Sequence, residues 1–365
     1  MKKIILIISA VLIIIFTYTV FSKEEKINIG FVAGLSGKYS TLGNSVLNGL
    51  QLAFDDVDYK VANKKIVLIE KDDKQSEEKA KEAIRYFKEN NIKLIVGNST
   101  SSMTKISLNE IKNSDEVLIS ATASSNEFSN IDDNFLRMQV AHTTKRFDIL
   151  SKYLIENDLK RIYMIYDPMN KSYSKNYIIN FQQSFINNGG QKFINTEVIT
   201  KNFYEILEDI NKREIDTIVV VANSMDSSKM IQFLKVNNIK QKIISSGWAK
   251  TKDFLENGGK YIEGVVFSTG YDDNSDKEYY KDFIEKYYKK YKSKPSVFAA
   301  QAYETGKVLI NMLEKDSNIS NLKANILKQK VFEGLQGKII FNKYGDVDRD
   351  YFLMYVKDNT FKRLK

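Results

Sequence analysis

The amino-acid sequence predicts an α/β protein of two lobes, each built around a parallel sheet. Three observations lead there. Apolar runs of strand length alternate with segments of helical periodicity along most of the chain. Each strand–helix–strand unit implies a right-handed crossover between parallel neighbours. The units are too many for one sheet, and 365 residues are enough for two cores.

The elements follow in order. Residues 27–32 read as a short apolar strand, and Gly34, Gly37 and Gly43 as a turn region. Helical spacing over 45–57 puts Val46, Leu50, Ala53 and Phe54 on one side. A strand at 65–70 leads through the polar stretch 71–76 to a helix at 77–90, striped by Ala80, Ala83, Ile84 and Phe87. Then come a strand at 92–96 ending at Gly97, a helix at 104–112 and a strand at 117–120. A second cycle begins near His142. It has helices at 144–157, 174–187, 203–212 and 227–237, with strands at 161–166, 193–199, 217–221 and 242–245. A strand at 264–268 and helices at 277–291 and 298–313 follow, and β-rich pieces at 337–342 and 352–356 close the chain.

Composition excludes several kinds of chemistry. There is no cysteine, so disulfides, thiol catalysis, iron–sulfur clusters and cysteine-bound zinc are out. His142 is the one histidine, which removes multi-histidine metal sites. No metal and no cofactor is expected. The net charge of +9 comes from basic residues scattered among acidic ones. That pattern reads as a solvated surface and not as a nucleic-acid site. A hydrolase would need a Gly-x-Ser-x-Gly elbow, a nucleotide binder a complete glycine fingerprint or a Gly-Lys-Ser/Thr loop; none occurs. The chain is therefore not expected to be an enzyme. Asp72 and Asp73 are expected to shape a loop, and His142 to serve structure.

Lys2 and Lys3 precede an apolar run over 4–21, the pattern of a secretory signal, with Val20 and Ser22 small enough for cleavage after residue 22. The run also approaches the length of a membrane span, so an uncleaved anchor stays open. Without a cysteine the chain is not a lipoprotein. Either way, the body of the chain is expected in the periplasm or another extracytoplasmic space.

Seven collinear stretches resemble the leucine/isoleucine/valine-binding protein family. They are INIGFVAGLSGKYSTLGNSVLNGLQLAFDDV (27–57), VLIEKDDKQSEEKAKEAIRYF (67–87), KLIVGNSTSSMT (93–104) and EVLISATASSNEF (116–128) in the first half. IISSGWAKTKDFLENGGKYIEGVVF (243–267), YYKKYKSKPSVFAAQAYETGKVL (287–309) and LQGKIIFNKYGDVDRDYFLMYV (335–356) follow. The resemblance implies the type I periplasmic binding protein fold: two Rossmann-like lobes joined by a three-strand hinge. It implies lobe 1 over 26–143 and 271–336, and lobe 2 over 144–270 and 337–365. It also implies capture of an amino acid or small carboxylate, with an ABC permease or a membrane sensor as partner.

Candidate ligand-binding residues follow from the loops and the resemblance together. Ser99, Thr100, Ser101 and Ser102 lie between a strand and a helix, where amide groups and hydroxyls attract anions. Thr122 and Ser124 repeat the arrangement after the next strand. Loops at the carboxyl ends of strands are where open α/β sheets bind ligands. The resemblance assigns Ser101, Thr122 and Ser124 to a carboxylate clasp and Tyr173 to the facing lobe. Asn223 falls where the family's leucine binders have a cleft tyrosine, and Gly247 where they carry the acidic partner of a ligand ammonium. Asp226 and Glu304 are the substitutes considered for that partner. Trp248, the one tryptophan, is placed against an apolar part of the ligand, and Leu42 over the side-chain pocket.

Overall fold

A computed structural model describes residues 25–364; the N-terminal apolar run and its expected cleavage point lie outside them. The first lobe starts with β1 (Lys26–Ala33), α1 (Ser40–Asp55), β2 (Lys60–Val61), β3 (Lys64–Asp72) and α2 (Glu77–Glu89). It continues with β4 (Leu94–Gly97), α3 (Ser101–Glu110), β5 (Val117–Ser120) and β6 (Phe135–Arg137). These strands form a sheet in the order β2-β3-β1-β4-β5-β6. All neighbours are parallel except β2 and β3, and Ile29 of β1 faces both Leu68 and Leu94. β4 and β5 are buried at every position, which explains their unbroken apolar sequence.

Helix α1 begins earlier than its periodicity predicts. Leu42 and Gly43 are buried and extend the packed face towards the N-terminus. Gly43 is a close approach within the helix and not a turn: a Cβ there would overlap the Gly34 carbonyl, and one on Gly49 would overlap the Ala299 carbonyl.

The second lobe holds α4 (Thr144–Glu156), β7 (Ile162–Tyr166), α5 (Lys171–Asn187), β8 (Asn195–Val198) and α6 (Phe203–Asn211). It continues with β9 (Thr217–Val221), α7 (Ser224–Val236), β10 (Lys242–Ser246), α8 (Lys252–Gly258) and β11 (Val266–Thr269). The chain then returns to the first lobe. There α9 (Glu278–Tyr291) and α10 (Val297–Lys315) pack on α1, followed by α11 (Leu322–Gln329), β12 (Val331–Glu333), β13 (Lys338–Phe341) and β14 (Val347–Asp348). Finally β15 (Phe352–Lys357) and β16 (Thr360–Arg363) complete the second sheet, whose order is β16-β15-β11-β10-β9-β7-β8. β15 is antiparallel to β11 and to β16.

The chain thus crosses between lobes three times: after β6, after β11 and after β14. Strands β12 to β14 form a small sheet of their own. It is tied to the first lobe, because Arg137 N donates to Gly345 O (3.1 Å) and the buried Arg137 guanidinium pairs with Asp346 (2.5 Å). The last crossing therefore runs through 349–351, later than the 336/337 division that the resemblance implies.

In each sheet the strand order reverses once beside a central strand, between β1 and β4 and between β7 and β9. Crevices at the carboxyl ends of such strands are the ligand sites of open α/β sheets.

Candidate functional site

A narrow cavity lies between the lobes. The first lobe lines it with Leu42, with Ser99, Thr100 and Ser101 after β4, and with Thr122 and Ser124 after β5. The second lobe contributes Asn170 and Tyr173 after β7, Gly247 and Trp248 after β10, and Ser268 to Gly270 at the end of β11. Gln139 and Tyr351 enter from two of the crossings, and their side chains are joined by a 3.1 Å hydrogen bond. Val297 and Phe298 enter from α10 and Arg146 from α4.

The serine-rich loops brace one another. Ser101 Oγ accepts from the backbone N–H groups of Ser124 (3.1 Å) and Ser125 (3.2 Å). Thr122 Oγ1 donates to Ser99 O (2.7 Å). Ser124 Oγ lies 3.2 Å from His142 Nε2. Burial first, then the Arg146 and Arg137 guanidinium groups, hold the His142 imidazole well below its ordinary range. The ring is thus neutral and packs edge-on against Tyr173 with centroids 4.6 Å apart. Burial raises the Tyr173 phenol above its usual range, so it too is neutral. Asp72 and Asp73 shape the neighbouring loop. Asp72 accepts from Leu35 N (2.8 Å) and Lys74 N (2.9 Å), and Asp73 from Gln75 N (2.8 Å) and Asn98 Nδ2 (2.8 Å).

Two hydroxyls in the cavity are unspent. Ser99 Oγ and Ser268 Oγ are buried and make no hydrogen bond within the described residues. Buried polar groups in folded proteins are normally paired, and these two, one from each lobe, leave hydrogen-bonding capacity facing the cavity.

Not every candidate lines this space. Ser101, Thr122, Ser124, Tyr173 and Trp248 do. Ser102 instead joins the lobes: its N–H donates to Asn170 Oδ1 (3.1 Å), and its Oγ accepts from Ser172 N (3.2 Å). Asn223 caps α7 by accepting from Asp226 N (3.1 Å), and it borders a smaller neighbouring space. Asp226 forms an ion pair with Lys38 across the lobe boundary. Glu304 is taken up by Arg349 (2.5 Å) and Tyr271, outside the cavity.

The lobes meet along one lip of the cleft. Tyr39 Oη donates to Asp167 Oδ2 (2.9 Å), and Thr41 Oγ1 to Asp253 Oδ2 (2.5 Å). The Tyr39 ring stacks on Trp248 at 5.9 Å and 12°. Trp248 therefore serves the cavity wall and the lobe contact at once.

The loop serine Ser99, expected beside Ser101, lines the cavity, while Arg146, Gln139, Asn170, Tyr351 and Ser268 are not among the residues the sequence singles out. Ser268 carried a usable signal, since it sits at the carboxyl end of a strand. Arg146 carried none: a basic residue in the first turn of a helix looks like a solvated charge.

Two α/β lobes, three crossings and an interlobe cavity lined with hydroxyls define a two-lobed solute-binding protein. The profile of the periplasmic binding protein family matches residues 26–360, and the chain belongs to that family. The chain is 22% identical over 341 residues to the Leu/Ile/Val-binding protein BraC3 of Rhizobium johnstonii, covering 90% of this chain and 91% of that one. Solved structures agree in fold. The branched-chain amino acid transporter substrate binding protein LivJ of Streptococcus pneumoniae, in complex with isoleucine, superposes with a TM-score of 0.84 at 22% identity, covering 93% of this chain and 99% of that one. A solute binding protein of an ABC transporter from R. palustris, in complex with benzoate, gives 0.85 at 17% identity, covering 93% and 95%. Family and fold are those of solute-binding proteins and not of enzymes. The family implies an extracytoplasmic location. Among the described residues, no helix is long and apolar enough to cross a membrane.

Proposed function

We propose that this protein captures an amino acid or a similar small carboxylate by closing its two lobes, and delivers it to an ABC permease. The carrying observation is the cavity itself. Both lobes line it, each leaves it one unpaired buried hydroxyl, and direct hydrogen bonds join the lobes at its lip. A ligand that touches both lobes favours the closed arrangement by contacts that the open one lacks. Ser101 and Ser124 hold the carboxylate from the first lobe, Thr122 braces their loops through Ser99 O, and Tyr173 and Trp248 close over it from the second. Ser102, Asn223 and Asp226 act at the lobe boundary. The relatives support this reading, since isoleucine and benzoate share a carboxylate. In the same reading, residues 1–22 export the chain or anchor it to the membrane, and the permease reads the outer face of the closed lobes.

A thermal-shift screen against amino acids and small carboxylates, followed by isothermal titration of the best binder, tests the function. A ligand at one hundred times its dissociation constant stabilises the fold by about 2.7 kcal/mol. Ser101→Ala and Ser124→Ala each remove a group near the anion, and hydrogen bonds to charged groups contribute about 1.5–3 kcal/mol. Each variant is expected to weaken binding by about tenfold or more. Unchanged affinity in both would remove the carboxylate clasp, and a flat screen would remove the function.

A further inference from the structure

We infer that the cavity selects an anion that carries no ammonium group, a monocarboxylate with an apolar or aromatic body, and that Arg146 reads its charge. This rests on the proposed solute-binding function and narrows its ligand class.

Among the described residues, no aspartate or glutamate lines the cavity. The acidic residues considered for a ligand ammonium are committed elsewhere, Asp226 to Lys38 and Glu304 to Arg349 and Tyr271. An ammonium would enter a space that holds a fixed cation and no counter-charge. Burying it there is expensive, and the guanidinium repels it.

The other deeply buried cations show what Arg146 lacks. Arg137 has Asp346, Arg349 has Glu304 and Lys250 has Asp273. Arg146 is 7% exposed and, among the described residues, has no ion pair. Its Nη1 donates to Val140 O (2.8 Å), and its guanidinium carbon lies 4.8 Å from the centre of the Tyr351 ring. Neither contact supplies negative charge. A buried guanidinium without a carboxylate is unfavourable, and a ligand carboxylate provides the missing partner.

Two further features point the same way. The unpaired hydroxyls of Ser99 and Ser268 offer donors from opposite lobes. The N-terminus of α3 opens on the cavity at Ser101, where the helix end favours negative charge. The cavity also has apolar walls, among them Leu42, Val297 and Phe298, which suit an uncharged body.

Matched pairs test this by isothermal titration of the purified protein. Leucine is compared with isocaproate, its deamino analogue, and phenylalanine with hydrocinnamate; benzoate is added. At least one acid is expected to bind about tenfold or more tighter than either amino acid. Arg146→Gln is expected to weaken that acid by about ten- to a hundredfold, and Arg146→Lys, which keeps the charge, to retain the preference. An amino acid that binds as tightly as its deamino analogue overturns the ligand class and leaves the proposed function standing. Equal acid affinity in the parent and Arg146→Gln overturns the role of Arg146. Silence from acids and amino acids alike overturns the proposed function itself.

Discussion

Replacing Tyr39 by phenylalanine removes one hydroxyl from the seam between the lobes and leaves the ring stacked on Trp248. The hydroxyl donates to the fully buried Asp167 carboxylate at 2.9 Å. A neutral phenol is the donor, because burial and the nearby carboxylate both raise the Tyr39 pKa. Hydrogen bonds to charged groups contribute about 1.5–3 kcal/mol. Asp167 keeps Met169 N at 2.8 Å and Lys38 at 3.9 Å, so the lower part of that range applies, about 1.5–2 kcal/mol. The bond joins different lobes, so its loss penalises the closed state alone. Ligand affinity should fall by about ten- to thirtyfold, while unliganded stability in urea stays within about 0.5 kcal/mol. Isothermal titration and urea unfolding measure the two quantities. Unchanged affinity, or an equal loss of unliganded stability, would refute the reasoning.

Two further predictions concern the fold. Asp346→Ala leaves Arg137 buried without its carboxylate, and removing one partner of a buried pair costs about 3–5 kcal/mol; a loss below about 1 kcal/mol in urea would mean that the guanidinium finds another partner. His142 is buried and neutral, with its pKa held down mainly by burial. As pH falls below about 6.5, the unfolded chain binds a proton there that the folded one refuses, so stability drops by up to about 1.4 kcal/mol per pH unit. His142→Gln should lose that dependence between about pH 7 and 5, where histidine is the ordinary titrating side chain; parallel stability-against-pH curves for the two proteins would sink the assignment.

Much of the fold is legible in the sequence because it depends on local periodicity. The stripe of Ala80, Ala83, Ile84 and Phe87 is the buried face of α2, and the apolar run of β9 is a strand buried on both sides. The small edge elements are less legible. β6 is three residues long and β2 and β14 two each, too short for any period to show. The serine loops are readable because they follow buried strands at the sheet's carboxyl edge. Asn223 and Asp226 stand where spacing puts them, yet the chain uses the first as a helix cap and the second as a partner for Lys38. The Asn-x-x-Asp spacing at the head of a helix held that capping signal. Arg146 was illegible because its burial is made by distant residues. Tyr351, which covers it, joins the site from the last crossing.

The packing of α10 on α1 also governs how the molecule is assembled. Lobe 1 begins at β1 but cannot close its core until residues beyond 297 are present, because the Ala299 backbone seats against Gly49. Lobe 2 waits in turn for β15, which flanks β11. Neither core is a contiguous stretch, so a chain elongating from its N-terminus holds both unfinished until nearly its last residues emerge. Contacts over such separations make folding slow. Slow closure of both cores is therefore built into the order in which the chain visits its two lobes.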